Sequence, residues 1–126
     1  MTNSSAMLSL TISLSTIAAA QLLLKARLAL LGYEADLVPT VTATMQRAVS
    51  DPWFWCAGGL VLTSAITWYA AMLRLPLSLM LPLAALLAPM VSIGAWALLG
   101  EDLTPAKCAA ITVIAAGTAW LGWLNS

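Results

Sequence analysis

The placement of charge constrains this chain more than any other feature. Ten residues are ionised at neutral pH: Lys25, Arg27, Glu34, Asp36, Arg47, Asp51, Arg74, Glu101, Asp102 and Lys107. Between them lie four long uncharged stretches, from Met1 to Leu24, Pro52 to Leu73, Leu75 to Gly100 and Cys108 to Ser126. A hydrocarbon core about 30 Å thick is crossed by ~20 apolar residues in a helix, and each stretch reaches that length. The sequence therefore predicts an all-α integral membrane protein, one domain over residues 1–126, with transmembrane helices near 7–31, 53–73, 77–99 and 106–124. Lys25 and Arg27 fall in the last third of the first helix, where long basic stems snorkel to the headgroups.

Composition supports this and removes several function classes. Hydrophobic residues make up 62% of the chain and charged residues 8%, against about 25% charged in a soluble domain. Net charge is zero, so no basic patch is available to neutralise nucleic-acid phosphates. There is no histidine and there are two cysteines, Cys56 and Cys108. Zinc and haem sites of the usual kinds lack ligands, and a hydrolytic triad lacks its imidazole. No metal, no cofactor and no enzymatic reaction are expected. The two thiols are expected to be free, with a disulfide permitted but not implied. Ala18-Ala19-Ala20 resembles a signal-peptide cleavage site, but no basic residue precedes the apolar run, so the first stretch is expected to stay as a helix.

The span boundaries are marked locally. Asp51-Pro52 leads into Trp53 and Trp55, a helix start with interface aromatics. Thr104 is a candidate N-cap with Pro105 in the first turn, and Trp120 and Trp123 anchor the far end of that helix. The polar segment 32–51 is expected to hold a short interfacial helix over Leu37–Ser50. The turn at Arg74–Pro76 is so short that the second and third helices are expected to form a tight antiparallel hairpin. Lys25, Arg27, Arg47 and Lys107 lie on one side against Arg74 on the other, and this basic bias favours the 32–51 side as cytoplasmic, with a dual or inverted topology left open.

Four helices enclose little, and polar groups exposed to lipid are costly. A polar route through the membrane therefore calls for a homodimer, or a heterodimer with a similar small membrane protein. Ser15-Ala19, Thr16-Ala20, Ala115-Ala119 and Thr118-Gly122 have the small-residue spacing that lets helices approach closely. In the third helix, Pro82 and Pro89 each remove a backbone donor and are expected to kink it from one face, as a gate or as a source of free carbonyls.

Gln21-Leu22-Leu23-Leu24-Lys25, Trp68-Tyr69, Leu75-Pro76-Leu77-Ser78-Leu79 with Pro82-Leu83, and Leu99-Gly100-Glu101 before Leu103-Thr104-Pro105 together resemble the drug/metabolite transporter superfamily. The likeness is to its single-repeat, four-helix EamA-like members, and within these to the aminoarabinose-phosphoundecaprenol flippase subunits. It covers about Ala18 to Gly122, apart from the 32–51 loop. It implies a dimeric bundle like that of the small multidrug resistance proteins, a place in the bacterial inner membrane, and movement of a lipid-linked or amphipathic substrate. The membrane-embedded glutamate of the small multidrug resistance proteins falls here at Ile17, so proton-coupled drug efflux of that type is not expected.

On that resemblance, Lys25 is the candidate ligand for the phosphate of a polyprenyl-phosphate-linked sugar, because lysine serves phosphate as a compact point charge. Arg27 is expected to assist. The first and third helices both finish on the side of the long loop, so Lys25 and Glu101 lie at similar depth, and Glu101 is expected to pair with Lys25 when cargo is absent. Gln21 lies four residues from Lys25 and shares its face, and an amide in an apolar helix needs a partner. Trp68, Tyr69 and Ser78 are candidates for a sugar or headgroup pocket, and Arg74 for the phosphate's landing point on the far side. The plainer accounts are an interface anchor for Lys25 and Arg74, a solvated helix cap for Glu101 and Asp102, and packing for the aromatics. Two other functions fit the same composition, an exporter of a small amphipathic metabolite and a non-transporting scaffold subunit for a partner enzyme.

Overall fold

A computed structural model describes residues 2–30 and 41–125. Six helices follow in order: α1 (Thr2–Leu30), α2 (Val41–Ser50), α3 (Pro52–Met72), α4 (Leu77–Ala84), α5 (Leu87–Leu99) and α6 (Pro105–Leu124). No strand occurs among the described residues. Four spans are long and apolar enough to cross a membrane, with α4 and α5 together making the third, Leu77–Leu99. The chain is a multi-pass membrane protein.

The caps explain where helices begin and turn. Asp51 accepts a hydrogen bond from the Trp53 N–H at 3.1 Å, and Pro52 follows it in the first turn of α3. Thr104 accepts from the Lys107 N–H at 3.3 Å, with Pro105 opening α6. α5 ends at Gly100, whose φ is +67°, and the Glu101 N–H reaches back to the Ala95 carbonyl at 3.3 Å. This six-residue closure needs a left-handed residue, which glycine adopts without a Cβ clash. α1 starts at Thr2, earlier than the apolar run, and within it the hydroxyls of Ser9 and Thr11 bond back to the Ser5 and Met7 carbonyls, each at 2.9 Å. The interfacial helix expected over Leu37–Ser50 is seen as α2, Val41–Ser50; positions 37–40, with Glu34 and Asp36, lie outside the described residues.

The third span departs most from expectation. It is not one kinked helix but two, separated at Ala85-Leu86. Around the break the chain tightens to three-residue closures, Ala85 N–H to Pro82 O and Leu86 N–H to Leu83 O at 3.0 Å, and Ala88 N–H to Ala85 O at 3.1 Å. Pro89 has no N–H to offer the Ala85 carbonyl, so Ala88 supplies one. Tighter turns rotate the chain further per residue. Pro82 is consequently exposed and Pro89 buried, rather than the two sharing a face.

α1 is the central helix. α3 packs antiparallel along it, and α5 lies beside its C-terminal half; the long partner of α3 is α1, not the α4–α5 pair. The tight hairpin expected from the short turn does not form, because helix adjacency is set by which apolar faces fit, not by loop length alone. The buried cluster joins Ala6, Leu10 and Leu14 of α1 to Ala71 of α3, Leu75 of the turn, and Leu79, Met80 and Leu83 of α4. At mid-span the Ser13 hydroxyl donates to the Ser64 carbonyl and the Ser64 hydroxyl to the Ser13 carbonyl, each at 2.9 Å. Both serines are buried. Such interhelical bonds in lipid average about 0.6 kcal/mol and reach ~1–2. α6 rests on α4 and α5, and Thr118 is its one buried residue. Among the small-residue pairs, Ala20 and Thr118 face inward, whereas Ser15, Ala19 and Ala119 are exposed. Cys56 and Cys108 are free and exposed.

Candidate functional site

Gln21 lies on α1 four residues before Lys25, and it lines a cleft where α1 meets the broken third span. The cleft has a volume of about 410 Å³ and is walled by Ala84, Ala85, Leu87, Ala88, Val91 and Ser92. Three alanines beside the break keep this wall low. Gln21 and Ser92 supply its polar side chains. Ser92 was not singled out from the sequence, although it is a lone hydroxyl in the apolar run from Leu79 to Leu99 and carries the same signal as Gln21.

One helical turn further along α1, about 6 Å by the helical rise, the Lys25 ammonium pairs with the Glu101 carboxylate. The expected juxtaposition is therefore present. Gly100 produces it, since the left-handed turn reverses the chain and sets Glu101 beside α1. Just below, Gly94 leaves room for the Leu22 side chain, whose Cδ1 lies where an added Cβ would sit.

Arg27 is placed elsewhere. Two residues from Lys25, it lies on the opposite side of α1 and forms a fork with Asp51, Nε to Oδ2 at 2.9 Å and Nη2 to Oδ1 at 3.1 Å. The guanidinium carbon also sits 5.9 Å from the Trp53 ring centre. The assisting role expected of Arg27 does not follow from this placement; it joins α1 to the start of α3. Exposure separates the two ion pairs. Lys25 and Glu101 side chains are 57% and 42% exposed, so their attraction is screened and is worth about 0–1 kcal/mol. Arg27 and Asp51 are 31% and 7% exposed. The first pair is the one a competing anion can open.

The hydrogen bond from Arg27 holds the Asp51 carboxyl below the ordinary value of 3.8; burial opposes this, and the Trp53 N–H and the Arg27 charge reinforce it. A carboxyl lowered on folding stabilises the fold fully above its unfolded value and loses that contribution as pH falls through the folded one. The expected outcome is a stability gap between wild type and Asp51→Asn in detergent that is constant near neutrality and closes as pH drops below 3.8. A gap independent of pH would remove this role.

The remaining candidates are dispersed. Trp68 packs partly buried against the core cluster. Tyr69 is 63% exposed on α3, and Ser78 is exposed at the start of α4. None of the three lines the Gln21 cleft. Arg74 sits on the turn at the other membrane face and donates to the Ser5 hydroxyl at 2.9 Å. Among the described residues no group of three or more acidic, cysteine or histidine side chains could hold a metal. No family model matches the sequence, and neither curated proteins nor solved structures give a match.

Proposed function

We propose that this protein moves a lipid-linked anionic substrate across the membrane, in the manner of the polyprenyl-phosphate sugar flippases its sequence resembles. The observation that supports this reading is the exposed Lys25–Glu101 pair one turn from the Gln21–Ser92 cleft. Lys25 exchanges Glu101 for the substrate phosphate at headgroup depth, where a charge is least costly. Gln21 and Ser92 then meet the hydroxyls of the attached group, and the lipid tail stays in the bilayer. No reaction is catalysed. A second copy of the chain, or a similar small membrane protein, covers the sparsely buried α6 and closes the cleft from the lipid side.

The test is a thermal shift in detergent. Ligand that binds the folded state raises its midpoint in proportion to RT ln(1 + [L]/Kd). Polyprenyl-phosphate sugars are expected to raise it in the wild type and to raise it less in Lys25→Ala. Soluble amines are expected to leave both unchanged. A shift with soluble amines alone would favour export of a small metabolite, and none with either would favour the scaffold.

A further inference from the structure

The face opposite Lys25 carries one charged side chain. Between Asp51 and Glu101 the only ionisable residue with a full charge is Arg74, on the turn between α3 and α4. Among the described residues the acidic side chains, Asp51, Glu101 and Asp102, belong to the other side. Among the described residues Arg74 makes no ion pair. Its one hydrogen bond runs from Nη1 to the Ser5 hydroxyl, which leaves most of the five guanidinium donors unspent. The backbone beneath it is fixed, with the Arg74 and Leu75 N–H groups both bonded to the Ala71 carbonyl at 3.0 and 2.9 Å. The guanidinium borders a hollow of about 180 Å³ together with Ser5, Ser9, Ala70 and Leu73. Leu73, 70% exposed, gives the hollow an apolar edge.

The geometry points to a second anion site here, one that takes a phosphate carried on a lipid tail. A guanidinium tethered to a helix hydroxyl cannot swing freely, so its remaining N–H pairs form a fork suited to two phosphate oxygens. The neighbouring Leu73 and Ala70 suit the first methylenes of an acyl or prenyl chain. A plain interface anchor needs only a cation on a long stem and would work as well with lysine. The fork requires arginine. The site stands apart from the cleft and does not depend on the transport reading.

Two sources present the same chemistry, the phosphodiester of a bilayer phospholipid and the phosphomonoester of a prenyl carrier. Purified full-length protein in detergent is titrated with dioctanoyl phosphatidylglycerol, farnesyl phosphate, and dioctanoylglycerol as the phosphate-free control. Wild type, Arg74→Lys, Arg74→Ala and Lys25→Ala are compared by thermal shift. The expected result is binding of a phosphate lipid but not of dioctanoylglycerol. That binding is weakened about tenfold in Arg74→Lys, the size of a lost charge-assisted bond, and persists in Lys25→Ala. Preference for the diester identifies a resident phospholipid, and preference for farnesyl phosphate identifies a prenyl-carried phosphate. Wild-type affinity in a folded Arg74→Lys overturns the site, as does loss of all phosphate-lipid binding in Lys25→Ala. Arg74→Lys keeps the charge and the stem, so it decides the matter even where Arg74→Ala fails to fold.

Discussion

In proteoliposomes, Lys25→Ala abolishes translocation of a polyprenyl-phosphate sugar while insertion and helix content stay at wild-type levels. Lys25 is 57% exposed at the end of α1, so its removal opens no cavity and strands no buried charge. What disappears is a charge-assisted contact to phosphate, worth about 1.5–3 kcal/mol, or roughly 10- to 150-fold in affinity. Glu101→Gln works in the other direction. With the carboxylate gone, substrate no longer displaces a competitor, and apparent affinity tightens by up to about fivefold, the scale of an exposed pair. Opposite signs at two residues that touch each other are hard to produce by misfolding. Equal losses in both variants would mean that the pair merely staples α1 to the end of α5, and wild-type transport by Lys25→Ala would end the phosphate role.

The second large effect lies at the helix crossing. Gly94→Val places a branched side chain where Leu22 Cδ1 lies, and the expected outcome is that α5 moves away from α1. Overpacking of this kind costs about 1–3 kcal/mol. The thermal midpoint falls, and disulfide formation between Lys25→Cys and Glu101→Cys, in a background with Cys56→Ser and Cys108→Ser, drops with it. Leu22→Ala in the same chain makes room and recovers both readouts. If Gly94→Val leaves the crosslink intact, Leu22 has simply changed rotamer, and the glycine is not what brings Lys25 and Glu101 together.

The span positions were legible because charge is excluded from hydrocarbon. Pro52–Met72 and Pro105–Leu124 fall within a residue of the expected ends, and Thr104 caps as read. The Lys25–Glu101 pairing was also legible, from helix length and side alone. The pairing of Arg27 with Asp51 was not. It depends on the direction of two side chains 24 positions apart, which no local spacing encodes. The break at Ala85-Leu86 was only half visible. Pro82 and Pro89 announce lost donors, but whether a helix bends or restarts depends on the closures its neighbours can form. Ser13 and Ser64 are each one hydroxyl among several on their helices, and their reciprocal bonding emerges only once α1 and α3 are set antiparallel.

Those two serines have a mechanical consequence. α1 and α3 are fastened at both ends and in the middle, by Arg74 to Ser5, Ser13 to Ser64, and Arg27 to Asp51. The second half of the chain is held to α1 by the buried cluster on α4 and by α5 with the Lys25–Glu101 pair, and its own backbone is interrupted between the two. Rearrangement is cheapest where fastenings are fewest. α1 and α3 thus form the more firmly fastened half, and Ala85-Leu86 divides the other half into two separately anchored pieces.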